Sequence, residues 1–200
     1  MAKKDIGFLI KFALIFFIAL GFLWEPMRRG DLRVSGAMPA APAASSAGGR
    51  AGVVAGIDWD EIAPDIEDYL NQEYNGRHNG VDIRAEYGGI IKSESAGKVS
   101  FVGDQDNYCP GRGLGKFVMV ENDEGYTLLY AHLREIEVSA GDRVSRGETL
   151  GYVGDTGLVT GPHLHFAVFR TGLMGMTDID SYCGPRPSGG AVNPINYLQK

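Results

Sequence analysis

From about Arg77 to the C-terminus, apolar residues come in short runs rich in Val, Ile, Leu, Phe and Tyr, each closed by Gly, Asn or Asp. Runs of that length bounded by turn formers read as strands rather than helices. They predict strands over Gly80–Arg84, Gly97–Gly103, Lys116–Asn122, Tyr126–His132, Thr149–Val153 and His163–Arg170. Turns are expected at Asn122-Asp123-Glu124-Gly125, Ala140-Gly141-Asp142 and Gly154-Asp155-Thr156-Gly157. Just upstream, Ile62, Ile66, Tyr69 and Leu70 share one helical face, so a short helix is expected over Pro64–Gln72, with Pro64 tolerated in its first turn. The fold class is therefore mainly β, an antiparallel sandwich or partly open barrel.

The N-terminus follows another pattern. Ile6–Trp24 is an apolar run of about 19 residues interrupted only by Lys11, close to the length of a bilayer-spanning helix. It is expected to be an uncleaved anchor. A cleaved signal peptide is the alternative, but no small-x-small site follows promptly: Glu25, Pro26, Met27, Arg28 and Arg29 come instead, and Ala41-Pro42-Ala43 lies well downstream. Beyond the run, Ala, Gly, Pro and Ser dominate, a composition that cannot bury a core and reads as a tether. About 30 such residues have an r.m.s. span of roughly 30 Å. The expected organisation is residues 1–5 in the cytoplasm, 6–24 as a transmembrane helix, 25–56 as linker, 57–76 as a short helical lead-in and 77–200 as one folded domain.

A net charge of -6 and the lack of a dense Lys/Arg patch argue against nucleic acid as the partner. The chemistry lies in the four histidines, His78, His132, His163 and His165. In a strand His163 and His165 project from the same face. Asp82, four residues after His78, adds an oxygen ligand. Two histidines and one carboxylate would leave the fourth position of a zinc ion open, the arrangement of catalytic zinc, with the surplus histidines available for proton transfer. Taken singly, each residue has a plainer reading: His78 in a surface loop, Asp82 as a turn former, His132 as a satisfied core histidine, His163 and His165 on a solvated strand face.

Read in order, HNGVDI, AGKVSFVG, GYTLLYAHL, VSAGDRVSRGETLGYVGDTG and TGPHLHFAV resemble the lysostaphin-type or LytM zinc metallopeptidases, from Arg77 to Phe169, and VNPINYL resembles the family's close. The resemblance implies a duplicated hybrid motif fold and hydrolysis of peptide cross-bridges in bacterial peptidoglycan. Carried over by position, it implies His78, Asp82 and His165 as Zn2+ ligands and His132 and His163 as catalytic histidines outside the ligand set. It further implies peptidoglycan stems as partner and a domain held in the periplasm by the inner membrane, with an envelope or division machine nearby; secretion after signal cleavage is the alternative. One departure is Ala167, where the family often carries Glu. Two segments look longer than usual, GDQDNYCPGRGLG and TGLMGMTDIDSYCGPRPSGGA, and each holds one of the two cysteines. For a domain outside the cytoplasm, a Cys109–Cys183 disulfide pinning two loops at the groove rim is expected, against two free thiols. Competing functions are a non-catalytic relative that activates a separate amidase, and a lipoyl- or biotin-type carrier, suggested by the rhythm of the VSAGDRVSRGE segment but lacking its attachment lysine.

Overall fold

In the structure, a computed structural model, residues 52–177 and 183–200 are described. The expected transmembrane helix and almost all of the linker lie outside them. Among the described residues no helix is long and apolar enough to cross a membrane.

The lead-in starts with α1 (Trp59–Ile62), capped by the Asp58 side chain, and continues as a 3-10 segment, Ala63–Tyr69. The expected helix over Pro64–Gln72 does not form. Its backbone leaves helical geometry at Asp65 (φ -124°, ψ 35°), and Leu70–Gln72 is extended as β1. So short a helix gains little on its own; Leu70 and Gln72 pair instead with Ile83 and Asp82 of β2 (Val81–Arg84). The apolar periodicity still serves packing, since Ile62 and Ile66 are fully buried.

Next come β3 (Ile90–Lys92), β4 (Gly97–Asp104), β5 (Lys116–Asn122), β6 (Tyr126–Ile136), β7 (Arg143–Val144), β8 (Thr149–Val153) and β9 (His163–Arg170). The C-terminal part holds β10 (Gly175–Met176), β11 (Pro187–Ser188), β12 (Ala191–Val192) and α2 (Pro194–Leu198). The main sheet is antiparallel, in the order β1-β2-β9-β6-β5-β4-β7, with β8 joining β6 to β3 and β12 lying on β9. It stays open rather than closing into a barrel. Its central strands are buried on both faces, β6 from Thr127 to Leu133 and β9 from His163 to Phe169. One face packs Tyr130, Leu164 and Phe166 against Trp59 and Ile62 of α1 and Tyr197 of α2. The opposite face packs Phe117, Met119, Leu129, Ala131, Ala167 and Phe169 together. Buried Glu94 ties the ends of the domain together, accepting from Tyr197 and from Arg146, which also reaches Asp60.

β6 runs past the expected end at His132 because it bends there instead of stopping. Tyr126–Ala131 pairs with β9, and Leu133–Ile136 pairs with β8. Across the other edge, Ala131 faces Phe117 and Leu133 faces Lys116, so His132 is the extra residue of a bulge. Its φ of 66° is the one left-handed value among the described non-glycine residues. The corner turns the side chain toward β9.

Candidate functional site

Register brings the first pair together: Asp82 of β2 lies directly opposite His165 of β9, and Oδ1 of Asp82 is 2.8 Å from Nδ1 of His165. The approach requires Gly80, where a Cβ would sit 2.5 Å from the Phe166 carbonyl and 2.8 Å from the His165 ring. His78 comes from the turn before β2, held by Asn75 Oδ1, which accepts the Arg77 and His78 N–H groups. Its Nε2 lies 3.2 Å from Asp82 Oδ1 and 3.1 Å from His165 Nδ1. His163, two residues along β9 on the same face, places Nε2 3.7 Å from Asp82 Oδ1. His132 arrives from the β6 corner, its ring 4.8 Å from that of His163 and 5.8 Å from that of His165.

Backbone carbonyls fix the tautomers, because a carbonyl only accepts. Nδ1 donates to Glu73 from His78, to Thr156 from His132 and to Gly161 from His163, at 3.0, 2.9 and 2.8 Å. In their neutral forms all three rings therefore turn a bare Nε2 to the shared centre. His165 is reversed: Nδ1 faces the centre, while Nε2 is buried without a partner among the described residues.

Burial would raise the Asp82 pKa, but hydrogen bonds from His165 and His78 outweigh it and hold the carboxyl well below the carboxylate range. For His78, burial is overcome by its bonds to Asp82 and to the Glu73 carbonyl, and its pKa is raised. Burial, reinforced by His165 and His163, pushes His132 down to about 4, so it is neutral near pH 7. Burial also lowers His165, against the pull of Asp82.

His78, Asp82 and His165 form the group among the described residues that could hold a metal ion. The fit can be checked from the donors alone. Zinc bonds of about 2.0–2.1 Å in a tetrahedron place neighbouring ligand atoms about 3.3 Å apart. The three edges here are 2.8, 3.1 and 3.2 Å, one carboxylate oxygen and two imidazole nitrogens. An ion there would take the place of the protons that His78 and His165 share with Asp82. His132 and His163 lie beside this trio and line the same groove of about 370 Å³, with Leu114 and Leu158 on its walls.

All five residues singled out in the sequence thus come together. Ala167 stands apart, buried in the second apolar cluster. What the sequence did not disclose are the orienting carbonyls of Glu73, Thr156 and Gly161, which have no side-chain signature. The Thr156 carbonyl is brought under His132 by two glycines in close contact, Gly115 and Gly157, where a Cβ on Gly157 would lie 2.3 Å from Gly115 N. Cys109 and Cys183 form the expected disulfide. Beside it Gln105, nearly fully buried, donates to the Pro185 carbonyl and accepts from Leu114 N, bridging the two long loops.

The sequence model of peptidase family M23 matches residues 76–177. The chain is 41% identical over 91 residues to glycyl-glycine endopeptidase ALE-1 of Staphylococcus capitis, covering 46% of this chain and 24% of that protein. It is 37% identical over 89 residues to the DD-carboxypeptidase/endopeptidase Mpg of Neisseria meningitidis, covering 44% of this chain and 19% of that one. The matches therefore span about a quarter or less of these relatives' length. Among solved structures, the catalytic domain of the antimicrobial peptidase lysostaphin from Staphylococcus simulans superposes with a TM-score of 0.54 at 27% identity, covering 69% of this chain and 98% of that one.

Proposed function

The chain belongs to peptidase family M23, and from that premise we propose that it is a zinc-dependent endopeptidase that hydrolyses peptide cross-bridges of bacterial peptidoglycan. The observation that carries the reading is the convergence of His78 Nε2, Asp82 Oδ1 and His165 Nδ1 beside a groove lined by two more histidines. A non-catalytic activator of the same fold would have no use for all five groups.

Zinc, when bound, supplies a Lewis acid for the scissile carbonyl and lowers the pKa of a water molecule. The remaining work falls to the protein. His78, Asp82 and His165 would hold the ion, and the Glu73 carbonyl keeps the His78 ring in the tautomer that could ligate it. His132 and His163 offer basic Nε2 atoms, so either accepts the proton lost by the attacking water and returns it to the leaving amine. The imidazolium formed in between stabilises the negative charge on the carbonyl oxygen.

We place the domain in the periplasm, tethered to the inner membrane through residues 6–24; fractionation of cells expressing the full chain tests this. Zinc content and release of peptides from purified peptidoglycan test the activity. His165→Ala is expected to lose both zinc and hydrolysis, and His163→Ala to lose hydrolysis while keeping zinc. Equal zinc loss in the two variants would refute the division between ligands and catalytic histidines.

A further inference from the structure

The orientation of the His132 ring depends on a single peptide group. The Thr156 carbonyl accepts from His132 Nδ1 at 2.9 Å, and the N–H of the same peptide bond, that of Gly157, donates to Asp106 Oδ2 at 3.2 Å. Carboxylate, peptide and imidazole are therefore hydrogen-bonded end to end. Asp106 belongs to a 3-10 turn, Gln105–Asn107, in the long segment between β4 and β5 that also carries Cys109.

From this chain of bonds we propose that Asp106 is a positioning residue for His132, acting through the Thr156–Gly157 peptide to keep the ring's Nε2 bare and turned to the shared centre. The inference rests on the peptidase reading and adds to it a residue outside the five that line the site.

The peptide needs a group that chooses its direction. Gly157 has a φ of 74°, and glycine accepts either sign of φ, so a flip of the preceding peptide is open to it. The flanking bonds hold only the two ends of this segment: Thr156 Oγ1 lies between Lys116 N and the Leu133 carbonyl, and Leu158 N donates to the Gly113 carbonyl. A flip would turn the carbonyl toward Asp106 and the N–H toward His132. A carboxylate only accepts, so it holds the N–H and rejects the carbonyl. The carbonyl then stays on the His132 side and fixes the proton on Nδ1. The two bonds also reinforce each other, because a peptide polarised at its N–H is a better acceptor at its oxygen, by about 10–30% per bond.

Asp106 is itself aimed by its turn. Its N–H donates to Asp104 Oδ1, and its other oxygen accepts from Gly111 N. The neighbouring Gln105 secures the same histidine by another route: its Oε1 accepts from Leu114 N, and the Leu114 carbonyl accepts from His132 N. One turn thus fixes His132 twice, Gln105 at the main chain and Asp106 at the ring.

The test compares the zinc-loaded full chain with its Asp106→Ala variant on a synthetic bridge peptide. Loss of an outer partner of an active-site imidazole is expected to lower kcat about 10–100-fold and leave KM unchanged. The Cys109→Ser/Cys183→Ser variant loosens the same segment but keeps the carboxylate, and should act chiefly on KM, so the split separates positioning from loop order. The tautomer is read directly by 15N NMR of the histidine-labelled chain at pH 7: wild type should carry the His132 proton on Nδ1, and Asp106→Ala should show a mixture of both tautomers. Asp106→Asn keeps the volume and one acceptor; it should shift both readouts less, in the same direction, and it replaces the alanine variant if that one does not fold. An unchanged kcat, or a fall in kcat with the His132 tautomer unchanged, overturns the proposal and leaves the peptidase standing. If wild type cuts no bridge peptide, the peptidase reading falls, and the NMR signature alone decides whether Asp106 positions the ring: mixed tautomers in the variant support it, and a retained Nδ1 proton sinks it.

Discussion

The disulfide lends itself to a quantitative prediction. Cys109 and Cys183 close a loop with a sequence separation of 74, from the end of β4 through β5, β6, β8 and β9 to the C-terminal loop, most of the central sheet. Cross-linking a loop of that size removes denatured-state entropy worth about 4 kcal/mol at 25 °C. The folded geometry at the rim has a second support in Gln105, whose amide keeps its bonds to Leu114 N and the Pro185 carbonyl when the sulfurs are gone. The loss in the Cys109→Ser/Cys183→Ser variant therefore belongs to the unfolded chain, and urea unfolding should show about 4 kcal/mol lower stability, or a Tm lower by roughly 8–16 °C for a domain of this size. Serine variants are preferable to reductant, which could disturb the metal. Zinc content should equal that of wild type, because neither cysteine touches His78, Asp82 or His165. With Gln105 as the remaining tie, the rim loops keep their mean position but fluctuate more, which should raise KM for bridge peptides more than it lowers kcat. A stability change below about 1 kcal/mol would refute the entropic account, and unchanged KM and bond preference would refute the role given to the rim.

Two further outcomes follow from the site itself. Gly80→Ala adds a Cβ within 3.0 Å of the Phe166 carbonyl and the His165 ring, so β2 must move off β9; stability should fall by about 1–3 kcal/mol, and a competition titration with a chelator should show weaker zinc binding. In the metal-free chain, His132 is pushed from 6.5 to about 4 on folding, so the unfolded state takes up its proton first and stability falls as pH drops from about 6.5 to about 4. That group alone contributes about 3 kcal/mol, visible as a steeper pH dependence of chemical unfolding for wild type than for His132→Asn; parallel curves would contradict the buried, neutral ring.

Legibility differed by scale. The longer strands were readable almost to the residue, because β4, β5, β8 and β9 are bounded by turns whose side chains act locally, as Asn122 does in accepting from Glu124 N and Tyr126 N. Elements of two or three residues, β1, β3, β7 and β10–β12, left no pattern long enough to count. Their existence depends on partners far away in sequence. The lead-in helix misled because apolar spacing reports which side chains are buried, not which backbone conformation buries them; Ile66 is buried from a 3-10 turn. α2 was detectable in principle, since Asn193 caps it and Pro194 stands at its first position. The five polar residues of the site were legible as a motif because they are side chains. The carbonyls that orient the rings take up their places only once the loops are folded.

The corner at His132 bears on whether this fold catalyses or merely binds. A left-handed φ at a residue other than glycine costs about 1 kcal/mol or more, and such a cost persists where the surroundings over-determine it. Here they do: His132 N donates to the Leu114 carbonyl, Nδ1 donates to the Thr156 carbonyl, and Thr156 Oγ1 sits between Lys116 N and the Leu133 carbonyl. Glycine at position 132 would turn the same corner without strain, and the bulge would still let β6 change partner from β9 to β8. The sheet alone therefore gives no reason for an imidazole at that corner. A reason lies across the groove, where the ring's Nε2 faces His163 and the Asp82 centre; a domain that only gripped its ligand would do so more cheaply without it, whereas the hydrolysis proposed above needs a base at that place.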